Sequence, residues 1–221
     1  MLRKKQRTRI KTRRRKMYLT RSKVNKKVPI PRTGTKYVAK ALSHSNQGIP
    51  VVVAVRDLLG LAKTSREVKL MVKAKKIKLN GKVVKDIREG VRIFNLLEVG
   101  KVYKLIATTS GKIAFEETKD KERVTKIIGK KILKNGKIQM NLHDGTNVLT
   151  KDNVNVGDSV YLDSENKVAK NVKMEKGKEV FIISGRSVGN IGKIKEVSEK
   201  KIHVQLEERE VDLDKSHIIV L

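Results

Sequence analysis

No acidic residue occurs before Asp57. Over residues 1–56 the chain carries 18 Lys and Arg and no carboxylate to offset them. The opening is densest: Arg3, Lys4, Lys5, Arg7, Arg9 and Lys11 lead into the run Arg13-Arg14-Arg15-Lys16, with few apolar residues such as Leu2, Ile10, Met17 and Leu19 nearby. Like charges at this density repel, and so little apolar surface cannot offset the entropy of ordering the chain. This basic extension, taken as residues 1–48, is expected to be disordered when free and to condense on a polyanion, whose phosphates remove the repulsion and release counterions. Pro29, Pro31 and Gly34 give it an extended, turn-like connection to the rest of the chain.

The imbalance fades along the chain. Residues 57–105 hold 13 basic and 5 acidic residues, 106–176 hold 14 and 10, and 177–221 hold 8 and 8. More than half of the net charge of +30 therefore sits in the first quarter of the 221 residues. A charge of that size opposes compaction and calls for an anionic partner. Aromatic residues make up 3% and Trp is absent, which leaves few platforms for stacking bases and favours phosphate contact. Cysteine is absent, which excludes disulfides and thiolate-bound zinc. No apolar run approaches the roughly 18 residues of a membrane span, and no apolar stretch follows the basic start as in a secretory signal. The Arg-rich start has the composition of an organellar transit peptide but no amphipathic period. A nuclear-localisation or solubilising tail is the bland alternative.

Gly48-Ile49-Pro50 ends the basic region, and the run Val51 to Val55 leads into Leu58, Leu59, Leu61 and Ala62. β-propensity makes the valines a strand, whereas Pro50 at a first helical position makes them a helix, and period alone leaves both open. The next element is clearer. Thr64-Ser65-Arg66-Glu67 is a capping box, with the Thr64 hydroxyl set to accept from the Glu67 amide and the Glu67 carboxylate to reach back to the Thr64 amide. Beyond it Val68, Met71 and Val72 share one helical face, and Arg66, Lys69, Lys73 and Lys76 share another. No acid opposes those cations except Glu67, which the cap occupies. Ile77-Lys78-Leu79 and Lys82 to Ile87 read as strands around an Asn80-Gly81 hairpin turn.

The stretch from Pro50 to Lys69, followed by Ile77 to Asp86, resembles the S-four-type RNA-binding module, or alpha-L motif. The resemblance implies a pair of helices and a short hairpin that present Lys63, Thr64, Ser65, Arg66, Lys69, Lys73, Lys76, Asn80 and Lys82 to structured RNA. The module also occurs in pseudouridine synthases, some tRNA synthetases and a heat-shock protein.

From Val102 onward the periods are short. Tyr103 to Ala107, Lys112 to Phe115, Val124 to Ile128, Lys137 to Leu142 and Thr146 to Leu149 read as strands separated by Ser110-Gly111, Asn135-Gly136, Asp144-Gly145 and Val156-Gly157-Asp158. Such spacing suggests a small barrel or folded sheet. His143-Asp144-Gly145 reads as a hairpin turn and not as a catalytic pair, because Met140 and Leu142 lead into an Asp-Gly turn with His143 beside it, and His44, His203 and His217 show no metal-ligand spacing with it. No phosphate-binding Gly-Lys-Ser/Thr loop or nucleophile elbow occurs, so no catalytic residue, metal or cofactor is expected. The end, from Gly177 through Ile183, the glycine-rich Ser184 to Ile194, and the strands Lys201 to Leu206 and His217 to Leu221, resembles a KOW motif. That likeness implies that Arg186, Gly189 and Lys193 face RNA or a protein neighbour.

Basic extension, alpha-L module, central β domain and KOW unit in this order resemble small-subunit ribosomal protein four of the archaeal and eukaryotic (e) type. The string Gly136 to Asn147 is similar to that family's middle domain. The likeness covers roughly residues 50–221. The family's usual opening, a His-Leu-Lys-Arg-Leu type segment and an aromatic-bearing stretch, is replaced here by Arg13 to Lys27, so only its basic character carries over. The expectation is a multi-domain α+β protein: 1–48 basic extension, 49–105 alpha-L domain, 106–175 central β domain, and 176–221 an SH3-like β-barrel KOW domain. Its partners would be small-subunit ribosomal RNA and neighbouring ribosomal proteins in a cytoplasmic ribosome, with no membrane and no small-molecule substrate. An RNA-modifying enzyme of the pseudouridine synthase type and a KOW-type transcription factor are the rivals. The compact length leans archaeal.

Overall fold

The structure is a computed structural model that describes residues 17–43, 48–133, 136–198, 201–207 and 209–221. The cations from Arg3 to Lys16 lie outside the described residues. β-strands dominate, and among the described residues helix is limited to residues 51–58, Ser65–Lys73 and short 3-10 turns.

Residues 17–43 belong to the stretch expected to lack structure when free, yet they hold an antiparallel ribbon of β1 (Tyr18–Thr20) and β2 (Tyr37–Ala39). The Arg21 guanidinium ties the intervening loop, donating to the Thr35 carbonyl at 2.7 Å and the Pro31 carbonyl at 2.6 Å. Val24, Val28, Ile30 and Val38 supply apolar side chains, which are sparse in the first sixteen residues, and pack on the neighbouring core.

That core centres on the valine run, which is helical. After β3 (Ile49–Pro50), α1 (Val51–Val53) continues into a π-helical stretch, Ala54–Leu58. Pro50 is the N-cap residue, one position before the first helical turn. Val51 to Val55 are all buried, so tertiary packing overrides their strand propensity. The orphan amides of the helix start are also satisfied: Val51 donates to the Glu89 carbonyl at 2.9 Å and Val52 to that of Ile87 at 2.8 Å. Then come α2 (Ser65–Lys73), β4 (Lys78–Leu79), β5 (Lys82–Val83), β6 (Gly90–Val91), β7 (Leu96–Val99), β8 (Lys101–Ala107) and β9 (Ile113–Glu117). β3 pairs with β6, and the other strands form an antiparallel sheet in the order β5-β4-β7-β8-β9. The partner strand after Asn80-Gly81 is shorter than its sequence suggested: β5 ends at Val83, and Val84, buried in the core, adds one further bond across the hairpin by donating to the Ile77 carbonyl at 3.1 Å. β9 follows the expected boundary at residue 105 but is hydrogen-bonded to β8, in the first sheet.

A second sheet contains β10 (Arg123–Ile132), β11 (Ile138–Leu142), β12 (Asn147–Thr150), β13 (Ser159–Leu162) and β14 (Val168–Val172), ordered β12-β11-β10-β13-β14. β10 pairs with β13 through its first half and with β11 through its second, bending at a bulge between Ile127 and Gly129. A third sheet contains β15 (Glu179–Ile182), β16 (Ile191–Val197), β17 (Lys201–Gln205), β18 (Glu210–Asp214) and β19 (Ile218–Val220), ordered β18-β17-β16-β15-β19.

One apolar cluster joins the three sheets: Ile93, Phe94 and Ala107 from the first, Val124 from the second, Phe181, Val188 and Ile219 from the third. The Phe94 and Phe181 rings meet edge to face at 4.9 Å. Phe94 holds a φ of +66°, a conformation disfavoured for a bulky residue, and its burial in this cluster accompanies that strain.

Candidate nucleic-acid interface

The start of α2 is built by side chains. The Glu67 amide donates to the Thr64 hydroxyl oxygen at 3.3 Å, and the Glu67 carboxylate accepts from the Thr64 hydroxyl at 3.0 Å and from the Lys63 amide at 2.8 Å. The reach-back goes mainly to the Lys63 amide, with the expected Thr64 amide a lesser partner. These bonds, that to the Lys63 amide foremost, hold the Glu67 carboxyl below the usual carboxylate range. Arg56, in the π-helical stretch, grips Asp57 with two nitrogens at 2.8 Å each and donates to the Ser65 hydroxyl at 2.8 Å. Thr64 and Ser65 thus serve the helix junction, a role that a Ser-Arg pair nine residues apart does not announce in sequence.

The end of α2 is equally specific. Lys75 takes a φ of +56°, its amide donates to the Val72 carbonyl at 2.9 Å, and the Lys76 amide donates to that of Met71 at 3.0 Å. This is a Schellman ending with lysine where glycine is usual. Lys76, expected to extend the helical stripe, therefore lies past the helix end. The Asn80-Gly81 turn has φ values of +52° and +78°, the type I′ pattern. The Asn80 side-chain oxygen accepts from the Leu96 amide at 2.9 Å, so its polar group bridges β4 to β7.

The electrostatics follow from the acids. Residues 57–105 contain five carboxylates, and each has a local partner. Asp57 holds Arg56, Glu67 holds the cap, Asp86 holds Arg88 at 2.9 Å, Glu89 accepts from the Lys85 and Asp86 amides at 2.7 and 3.1 Å, and Glu98 meets Lys78 at 3.6 Å. The Arg88 guanidinium holds the Asp86 carboxyl below its ordinary range, with Lys69 a lesser contributor. Lys63, Arg66, Lys69, Lys73, Lys76 and Lys82 are all exposed, and among the described residues none forms an ion pair. Lys75, which no sequence signal singled out, joins them on the same surface stretch.

In the third sheet, Arg186 and Lys193 are exposed. Gly189 sits elsewhere: its φ is +86°, and a Cβ there would lie 2.2 Å from the Thr108 carbonyl oxygen. Its missing side chain lets the glycine loop press on the turn between β8 and β9. Gly81 is comparable, with a Cβ position 2.3 Å from the Ser164 carbonyl oxygen in the second sheet. Both glycines seat one sheet against another. Tyr18 and Tyr37 carry no motif that marks them in sequence. Their rings meet edge to face at 4.6 Å, each residue 48% exposed, with the Lys36 ammonium 5.6 Å from the Tyr37 ring.

Comparison with known proteins matches these regions in order. The S4 domain matches residues 53–94, ribosomal family S4e residues 99–168, and the KOW motif residues 176–205. Small ribosomal subunit protein eS4 of Methanocella arvoryzae is 35% identical over 177 residues, covering 76% of each chain. The chain belongs to the S4e family of ribosomal proteins. Its S4e relative in Archaeoglobus fulgidus is 32% identical over 205 residues, covering 87% of each chain. The crystal structure of 30S ribosomal protein S4e from Thermoplasma acidophilum shares the fold, with a TM-score of 0.67 at 24% identity, over 79% of this chain and 95% of that one.

Proposed function

We propose that this chain is a structural constituent of the small ribosomal subunit, held on ribosomal RNA chiefly by phosphate contacts. The observation that carries the reading is the disposition of charge around α2. Every carboxylate of residues 57–105 is engaged locally, which leaves a row of exposed cations spaced along the helix and past its end. Such a row neutralises phosphates and releases their counterions without reading sequence. Its relatives are small-subunit ribosomal proteins, and the acid-free extension supplies further cations.

In this reading the α1–α2 region with its hairpin acts as the alpha-L module, residues 123–172 as the central β domain, and residues 176–221 as an SH3-like KOW barrel. The boundary between the first two falls after Glu117, since β9 completes the first sheet. Arg3 to Lys16 add phosphate contacts as a polycation. Arg186 and Lys193 make further phosphate contacts, and the Tyr18–Tyr37 pair offers one face to an unpaired base. Neighbouring ribosomal proteins share the site in a cytoplasmic ribosome. An RNA-modifying enzyme built on the same module would need a catalytic Asp in an Arg-Leu-Asp-like context, and the sequence has none.

Gradient sedimentation of a lysate tests the assignment: the protein travels with small subunits, and migration as free protein or with RNA polymerase overturns it. Binding to purified small-subunit RNA falls steeply with salt. An affinity indifferent to salt removes the phosphate mechanism.

A further inference from the structure

We propose that the open cavity between the three sheets is a phosphodiester site that receives one nucleotide of the ribosomal RNA, an inference resting on the RNA-binding reading above. The cavity measures about 810 Å³, within the range of small-ligand pockets. Cations line it from several sides: Lys27 comes from the N-terminal segment, Arg92 from the turn before β7, Lys126 from the second sheet and Lys215 from the turn before β19. Among the described residues no carboxylate lines it.

Two of these cations are deeply buried, Arg92 at 5% exposure and Lys126 at 6%. The Lys126 ammonium donates to the carbonyls of Lys215 and Ile218, so dipoles rather than a carboxylate hold it. Asp144 acts on Arg92 electrostatically and also forms an ion pair with Arg123. Burial is the main cause that weakens protonation of both groups, and Lys215 adds to it at Lys126. Positive charge gathered in a low-dielectric recess creates a strong local potential, and an entering anion relieves the mutual repulsion.

The rest of the lining sets the form of the anion. Ile93, Ile127, Ile128 and Ile183 offer aliphatic walls to a ribose and a base edge, with no aromatic ring to stack. The junction is held by the Phe94–Phe181 cluster and by the Val220 amide donating to the Ser159 hydroxyl at 2.9 Å. A nucleotide seated there is bonded by all three sheets at once and fixes their common orientation on the RNA.

The test uses the full chain with purified small-subunit RNA. Lys27→Gln/Lys215→Gln lowers the slope of log affinity against log salt by about 1–2, whereas the charge-matched Lys119→Gln/Lys121→Gln, on an exposed loop beside Asp120 and Glu122, changes it less. A photo-crosslinking benzoylphenylalanine in place of Ile128 then labels RNA within reconstituted subunits. Crosslinks to a neighbouring protein, or equal slopes for the two double variants while wild type still binds RNA, overturn the cavity site and leave the ribosomal role standing. Inorganic phosphate that raises the melting temperature of wild type but not of Lys27→Gln/Lys215→Gln, with equal RNA slopes, assigns the cavity to a free anion and also overturns it. Absence of RNA binding by wild type overturns the functional reading itself.

Discussion

Arg123 and Asp144 form an ion pair at 3.1 Å with side-chain exposures of 1% and 0%. Arg123 Nη2 also donates to the Asn166 side chain at 2.7 Å and to the Thr146 hydroxyl at 3.3 Å, linking the first strand of the second sheet to two of its turns. Burial lowers the Arg123 pKa by more than Asp144 restores, so the pair specifies an arrangement more than it stabilises one. Arg123→Met strands a buried carboxylate and costs about 3–5 kcal/mol in urea unfolding. Arg123→Met/Asp144→Leu recovers most of that loss. A double variant as unstable as the single one contradicts this account.

Charge reversal along α2 separates binding from folding. Arg66→Glu/Lys69→Glu/Lys73→Glu changes three exposed residues and leaves the buried Val68 and Val72 in place. The circular dichroism spectrum and melting temperature stay near wild type. Affinity for small-subunit RNA falls, with a salt slope lower by about 2–3. Unchanged affinity removes this face as the contact surface.

The docking glycines give a graded series. Gly185 has a φ of +103° and open space around its Cβ position, so Gly185→Ala carries backbone strain alone, about 1–2 kcal/mol. Gly189→Ala adds collision with the Thr108 backbone and costs about 1–3 kcal/mol more. Denaturant unfolding of the two variants checks the order, and equal losses show that the close approach carries no energetic weight.

Lys126 sets a pH signature. Burial, then Lys215, lowers its pKa from 10.5 to about 8. The folded state therefore binds this proton less tightly than the unfolded chain. The penalty for charging Lys126 is complete below about pH 8 and is relieved as pH rises toward 10.5. Relative to Lys126→Met, wild type gains about 3 kcal/mol over that window. Parallel unfolding curves for the two proteins from pH 7 to 10.5 refute the assignment.

Lys75→Gly relieves a lysine from the left-handed region, with an expected gain in stability of up to about 1 kcal/mol. RNA affinity falls through loss of a cation. A variant that is both less stable and equally tight in binding contradicts the placement of Lys75.

Local signals were legible in the sequence. The capping box fixed the start of α2, Asn80-Gly81 fixed its hairpin, and pattern located β8, β11, β15 and β17 within a residue or two, while β10 runs four residues past the expected Ile128. What failed to show was tertiary. The helical state of Val51 to Val55 depends on carbonyls of Ile87 and Glu89 more than thirty residues away. Arg123 resembled any other cation at the head of a strand until Asp144 was seen opposite it. Asn80 and Gly189 matched the chemistry of an RNA contact, but the structure gives both to other parts of the same chain. The cavity draws its charges from four separated stretches, and no window of sequence brings them together.

The third sheet has a consequence for synthesis. β15 receives β16 on one edge at once, but its other edge waits for β19, far downstream. The carbonyl of Ile218 and the amide of Val220, which reach Lys126 and Ser159, emerge with that same strand. The first two sheets can complete their hydrogen-bonded ladders during elongation, at about 5–20 residues per second. Their junction with the third closes only once β19 has followed them out, so the three sheets acquire their common orientation after the first two are already built.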